Sequence, residues 1–290
     1  MAIWLHEGHT PGYSVNWGVT AILHREITPF QELAIVETTE WGRALVLDGV
    51  LQTTEKDEFI YHEMMAHVAM SSHPDPRRVL IVGGGDGGVL REVLKHPRVE
   101  RVDLVEIDRR VVELCREFLP AIACGFSDAR ANIVIADGLQ YIEDCRDPYD
   151  VLIVDSSDPV GPAEGLFGAR FYRQAARALK PGGMMVAQAE SPTFFPQDFT
   201  RVAANMRQTF PIARIYLACV PTYVSGHWAF AIGSTVHDPC APAATAPPIA
   251  GLRYYSPEVH RAAFVLPPYI RALLAAEAGE CGEHPLQDGP

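Results

Sequence analysis

Residues 79–94 read VLIVGGGDGGVLREVL: an apolar strand-like run, a glycine-rich turn, and then a helix that continues through His96. Strand, tight turn and helix in direct succession open a Rossmann-type unit, whose loop lets the backbone turn closely around a cofactor. Gly83, Gly85 and Gly87 form GxGxG, while Gly83, Gly85 and Gly88 form GxGxxG. The second spacing keeps dehydrogenase binding open, and a purely structural glycine turn is the plain alternative.

Downstream, further strand candidates alternate with helical stretches. Val102 to Val105 ends in Glu106 and Asp108 and is followed by RRVVELCREFL; later candidates are 133–135, 151–154, 184–187 and 228–232. This alternation predicts an open, largely parallel sheet, an α/β Rossmann-like domain of the methyltransferase type. KPGG at 180–183 predicts a turn before the strand at 184–187. The Pro/Ala-rich residues 239–250 predict an irregular connector, and one amphipathic helix is expected over 258–275.

Upstream, LAIVET at 33–38 and RALVL at 43–47, followed by Asp48-Gly49, predict a small antiparallel sheet or hairpin cap. DEFIYHEMMAHVAM at 57–70 predicts a helix leading into the larger domain. The expected division is therefore an N-terminal β domain over 1–56, the Rossmann-like domain over 57–275, and a frayed tail over 276–290.

The chain has 290 residues, 48% of them hydrophobic, and a formal net charge of -12. Phosphate-backbone binding needs concentrated Lys and Arg, so the balance argues against a nucleic-acid partner and permits a cationic substrate. Neither a secretory signal nor a membrane-spanning apolar run is evident, and six scattered cysteines without a CxxC pair look like isolated cytosolic thiols.

Glu106 follows the glycine loop at about the distance of a ribose-binding carboxylate. Asp86 would put negative charge inside the loop, disfavouring a pyrophosphate or carboxylate tail and favouring an amine; the bland alternative is a helix cap. Asp137-Gly138 closes the third strand, where it reads either as an adenine contact or as a simple turn. After the fourth strand comes DSSDPVGPAEG, from Asp155 to Gly165. Asp155 is placed to accept a proton from an attacking amine and Asp158 to hold another positive group, although a solvated connector would read similarly. Ser156 and Ser157 lack a GxSxG elbow, which points away from acyl-serine chemistry. Tyr61 and His62 are candidate amine contacts. His62 and His67 are five apart, not four, so HEMMAH does not predict a metal site.

Together LVLDGVLQTTEKDEFIYHEM, VLIVGGGDGGVLREVLKH, VEID, DSSDPVGPAEGLF, PGGMMVAQAESP and PTYVSG, in this order, resemble the spermidine synthase family of polyamine aminopropyltransferases. The likeness runs from about Trp4 to the C-terminal helix. It implies decarboxylated S-adenosylmethionine as aminopropyl donor, putrescine as acceptor, and no metal or permanently bound cofactor. It implies nucleoside contacts at Gln31, Glu106, Asp137, Gly138 and Pro162, along the loop of Gly83 and Gly85, and an aminopropyl contact at Asp86. It implies Asp155 as proton acceptor, and a polyamine channel of Tyr61, His62, Asp158, Gln188 and Tyr223, with Ser156 and Ser157 counted in the same segment. A cytoplasmic homodimer or homotetramer is also implied. Val224 stands where many relatives have proline and Thr193 where many have tryptophan; Trp4 or Phe194 would supply apolar surface instead.

Overall fold

The computed structural model describes residues 3–157, 161–223 and 226–280. The N-terminal unit is a five-stranded antiparallel meander: β1 (Ile3–Thr10), β2 (Tyr13–Ile27), β3 (Glu32–Thr38), β4 (Arg43–Leu47) and β5 (Val50–Thr54), hydrogen-bonded in that order. Trp17, Val19, Val36, Ala44, Val46 and Leu51 alternate onto one face and form a small core of their own. Leu33, Ile35 and Leu45 point the other way into the main core. Asp48 and Gly49 both have positive φ, +49° and +81°, as a two-residue hairpin between β4 and β5 requires. The expected cap lacked β1 and β2. β1 is polar and largely exposed, and backbone pairing to β2 holds it in place, whereas β2 carries an apolar alternation at Tyr13, Val15, Trp17 and Val19 that marks a strand.

Helix α1 (Glu58–Ser72) leads into a second sheet. There follow β6 (Arg78–Gly83), α2 (Gly88–Leu94), β7 (Arg101–Glu106), α3 (Arg109–Phe118), β8 (Ala131–Ile135), α4 (Gly138–Glu143), β9 (Tyr149–Asp155), α5 (Ala169–Arg177), β10 (Leu179–Gln188), α6 (Pro196–Thr209), β11 (Ile212–Cys219) and β12 (His227–Ser234). The strand order is β11-β12-β10-β9-β6-β7-β8, parallel from β10 through β8, with β12 antiparallel to both its neighbours. One apolar layer packs α1, α2 and α3 against the sheet, and the other packs α5 and α6. This is the expected Rossmann-like class with a small N-terminal β domain.

Three local expectations change. Residues 180–183 do not precede the strand but bulge within it: β10 pairs with β9 at Leu179 and again from Met184, with Gly182 at φ +84°. β11 is not among the expected strands, although Pro211 and Pro221 bracket a largely apolar run there. The single C-terminal helix is two, α7 (Pro257–Ala263) and α8 (Pro268–Glu280), because Pro267 and Pro268 cannot continue a helix. The irregular connector docks on α1, where Ala243 N–H donates to the Ser71 carbonyl at 2.8 Å.

β6 lies between β7 and β9: the chain runs outward from it through β7 to β8 and then crosses back to β9 on its other side, and the crevice at this switch point is where open α/β sheets bind ligands. The N-terminal sheet is moored beside it. Arg110 Nε donates to Glu26 at 2.7 Å, and Arg43 Nη1 donates to the Phe118 carbonyl at 3.0 Å. Asp57 joins the two units: its carboxylate accepts from the Thr54 hydroxyl at 2.6 Å and from the Thr222 N–H and hydroxyl at 2.9 and 2.8 Å, all buried. Asp57→Ala leaves these donors without a partner and should lower stability by about 2–3 kcal/mol, read as a lower urea midpoint at unchanged slope.

Candidate active site

A cavity of about 420 Å³ opens over the carboxyl ends of the central strands and is roofed by the N-terminal sheet. The glycine loop forms its floor. Gly83 has φ +82°, and a Cβ there would stand 2.1 Å from the Asp155 carbonyl, which already accepts the Gly84 N–H at 2.8 Å. Gly88 is needed for a different reason: its missing Cβ would lie 2.2 Å from the His62 ring. At Gly85 the space is taken by Glu106, 2.8 Å away.

Asp86 closes the glycine loop. One oxygen accepts the Gly88 N–H at 2.9 Å, closing the turn into α2, and the other lies 3.2 Å from His62 Nε2. His62 Nδ1 sits 2.5 Å from Glu58, so the ring is buried between two carboxylates. Burial opposes charge on His62, but Asp86 and Glu58 hold its pKa well above the ordinary histidine value. Burial opposes charge on Asp86 too, yet His62 and the Gly88 N–H keep its pKa below the usual value.

Asp155, at the end of β9, accepts the Tyr61 hydroxyl at 2.8 Å. Burial, with the charge of Asp86, pushes its pKa up to about 6 against the pull of His62 and Tyr61. Glu106, at the end of β7, is pushed up to about 7, chiefly by burial, although it accepts the Asp108 N–H at 2.9 Å. Asp108 caps α3 through the Arg110 N–H and accepts Thr28 Oγ1 at 2.7 Å and Gln31 Nε2 at 3.0 Å, which anchors Gln31 at the cavity wall.

Asp137 and Gly138 line the mouth; Asp137 is exposed and caps α4 by accepting the Leu139 N–H at 2.9 Å. Ser156 and Ser157 also line the cavity, and the buried Ser156 Oγ has no hydrogen-bond partner among the described residues. Gln188 is in the wall, its amide bonded twice to Glu190 at 3.0 Å, which closes the end of β10 locally. The Tyr223 hydroxyl donates to the Gln52 carbonyl at 2.7 Å, and its ring meets Tyr61 edge-on at 5.5 Å. Pro162 falls in the short 3-10 turn Gly161–Phe167, and Asp158 lies outside the described residues.

Several wall residues went unrecognised in the sequence. Glu7 and His9 reach the cavity from β1; Glu7 is buried and accepts Trp17 Nε1 at 2.5 Å. Nothing marked them, since β1 itself was not recognised. Phe195 and Trp228 supply apolar wall, with Trp228 packed 4.7 Å from the Tyr223 ring. Trp4 and Phe194 do not line the cavity: Trp4 is 63% exposed and Phe194 stacks on Tyr13.

His62, Asp86 and Asp155 offer atoms within 4.8 Å of one another, a spacing that could hold a metal ion. Both His62 ring nitrogens, however, already face carboxylates. The other acidic groups of α1 have partners elsewhere. Glu63 accepts three backbone N–H groups, from Arg253, Tyr254 and Tyr255, at 2.7 to 2.9 Å. His67 belongs to a separate buried cluster with His96 and Glu92, each at 2.9 Å, and burial beside His67 pushes His96 down to about 3. The five cysteines among the described residues are unpaired.

Fold and cavity define a Rossmann-like α/β enzyme with an acidic, desolvated cavity under a β roof. Residues 58–240 match the spermine/spermidine synthase domain model, and residues 3–55 match the spermidine synthase tetramerisation domain model. The polyamine aminopropyltransferase of Moorella thermoacetica is 51% identical over 96% of this chain and 98% of its own length; that of Desulforudis audaxviator is 49% identical over 93% and 98%. A spermidine synthase crystallised with the transition-state analogue AdoDATO superposes with a TM-score of 0.90 at 39% identity, covering 94% of this chain and 95% of that one. The spermidine synthase of Thermotoga maritima gives 0.89 at 39% identity, covering 94% of each. The chain belongs to the spermine/spermidine synthase family and is an enzyme of the polyamine aminopropyltransferase type.

Glu106 yields a test in the ligand-free protein. Its folded pKa lies above the ordinary carboxylate value, so the native state holds a proton that the unfolded chain has lost, and stability falls as pH rises from about 4.5 to about 7. Glu106→Gln should therefore raise the melting temperature of the unliganded enzyme at pH 8 and change it little at pH 4; an unchanged melting temperature at pH 8 contradicts the buried-charge penalty.

Proposed function

We propose that the enzyme transfers the aminopropyl group of decarboxylated S-adenosylmethionine to putrescine, giving spermidine and 5'-methylthioadenosine. The observation that carries this reading is the placement of Asp86 and Asp155, with atoms within 4.8 Å of each other and of His62, at the head of a cavity also walled by Glu106. Glu106 and Gln31 hold the ribose, Asp137 and Gly138 face the adenine with Pro162 beside it, and Asp86 takes the donor's ammonium. Burial strengthens the attractions at Glu106 and Asp86 relative to water.

In the transfer, the acceptor nitrogen's lone pair attacks the methylene carbon bonded to the sulfonium. The C–N bond forms as the C–S bond breaks, and its electron pair moves to sulfur, leaving a neutral thioether. The leaving group needs no further activation, so alignment and removal of one proton are the remaining tasks. Asp155 accepts that proton. A pKa near 6 suits this role: the group is mostly ionised at neutral pH yet more basic than a solvated aspartate. The Tyr61 hydroxyl fixes its orientation. Tyr223 and Trp228 flank the acceptor's methylenes, Gln188, Ser156, Ser157 and Asp158 join its polar contacts, and Glu7 offers a carboxylate to its far amine.

A homodimer or homotetramer joined through the N-terminal sheet accords with the name of the matching model and with Ile3, Trp4, Ile22 and Ile27 exposed there. Among the described residues no helix is long and apolar enough to cross a membrane; a cytoplasmic location is part of the same proposal.

A mass-resolved assay with decarboxylated S-adenosylmethionine and a panel of diamines and triamines tests the assignment. Spermidine and methylthioadenosine are expected, whereas products gaining only a methyl group would make the enzyme a methyltransferase. Asp155→Asn should lower kcat by about 10²- to 10⁴-fold with little change in donor affinity, while Glu106→Ala should chiefly weaken the donor; near-native turnover in Asp155→Asn would remove its role.

A further inference from the structure

Glu58 does not line the cavity; it stands behind His62. Arg91 grips it from α2 with both guanidinium arms, Nη1 at 3.0 Å and Nη2 at 2.8 Å, and Arg91 Nε is held in turn by Glu92 at 2.7 Å. The carboxylate so fixed meets His62 Nδ1, while Asp86 meets Nε2. An ionised carboxylate can only accept hydrogen bonds, so a ring with one on each nitrogen needs a proton on both. The ring cannot turn away easily, since its face stands where a Cβ of Gly88 would be.

The groups facing His62 are Glu58 and Tyr61 from α1, Asp86 from the glycine loop and Asp155 from the end of β9, with Arg91 of α2 behind Glu58. Two of these, the buried Asp86 and the half-buried Asp155, are carboxylates sharing one space. Like charges this close raise each other's affinity for a proton, and a cation between them removes that effect.

We propose that Glu58, clamped by Arg91, is a positioning residue: it keeps His62 doubly protonated, and His62 in turn keeps Asp155 ionised to receive the acceptor's proton. The inference rests on the role proposed for Asp155. Glu58 touches no substrate. It sets the charge of the ring that does the neutralising.

The test combines two readouts on the full-length enzyme. Nitrogen-15 NMR of histidine-labelled protein, with the His62 signals identified by their loss in His62→Gln, should show both ring nitrogens protonated at pH 8 in the wild type. Glu58→Gln should bring that protonation into the range between pH 6 and 8. The acid limb of the kcat profile should then move to higher pH by about one unit or more, and Glu58→Asp should restore it in part. In a His62→Gln background, where the cation is already gone, adding Glu58→Gln should leave the acid limb where His62→Gln alone puts it. A wild-type His62 protonated on one nitrogen at pH 8 overturns the proposal, and this needs no variant to fold. So does an acid limb unmoved in Glu58→Gln, or moved further in the double variant. Failure of the Asp155 role is distinguishable: the wild type would then lack the acid limb, while the NMR result would stand by itself.

Discussion

Every residue of α1 except Phe59 is buried, although the helix carries Glu58, His62, Glu63 and His67. A helix enclosed on all sides must be apolar all round or must find a partner for each polar group, because an unpaired buried charge is too costly to keep. The rest of the molecule supplies those partners. Arg91 and Glu92 come from α2, Asp86 from the glycine loop, and three backbone N–H groups from residues 253–255. Apolar contacts complete the enclosure: Tyr216 from β11 stacks on Phe230 and donates its hydroxyl to the Met64 carbonyl. The helix is thus where the β roof, the sheet and the C-terminal segment are fitted to one another.

The same enclosure gives the cavity its electrostatics. Two charges about 4 Å apart interact by roughly 1 kcal/mol in water and about 4 kcal/mol at an effective dielectric near 20. Asp155, near 6, and Glu106, near 7, are therefore carboxylates that the empty protein ionises reluctantly. A cation or a row of hydroxyl donors relieves that reluctance. Asp86 differs because His62 already faces it. Burial sets the scale in all three cases, and the identity of the nearest partner decides the direction.

The sheet, its helices and the glycine loop were legible because their signals are local. An apolar run, a turn of glycines and a helical period lie next to each other at 79–94. The residues of the candidate site were legible for a related reason, since Glu106 and Asp155 each end a strand of the parallel sheet and Asp137 follows two residues after another. What escaped was long-range. β1 has no apolar stripe of its own, so Glu7 gave no hint that it would face a cavity floored by Gly83 and Asp155. Gly88 fitted a dinucleotide motif by spacing, yet its small size is demanded by an imidazole that precedes it by more than a helix and a strand. The break between α7 and α8 is also a local signal, carried by Pro267-Pro268 inside a stretch whose apolar period otherwise continues.

Glu63 sits directly after His62 and is neutralised by N–H groups that lie almost at the far end of the chain. During synthesis, α1 and the glycine loop leave the ribosome long before residues 253–255. Until those residues arrive, the nascent chain can close around α1 only with an uncompensated carboxylate at its centre. Enclosure of α1 is thereby tied to the arrival of residues 253–255, and a chain released before about residue 255 lacks the groups that pair Glu63.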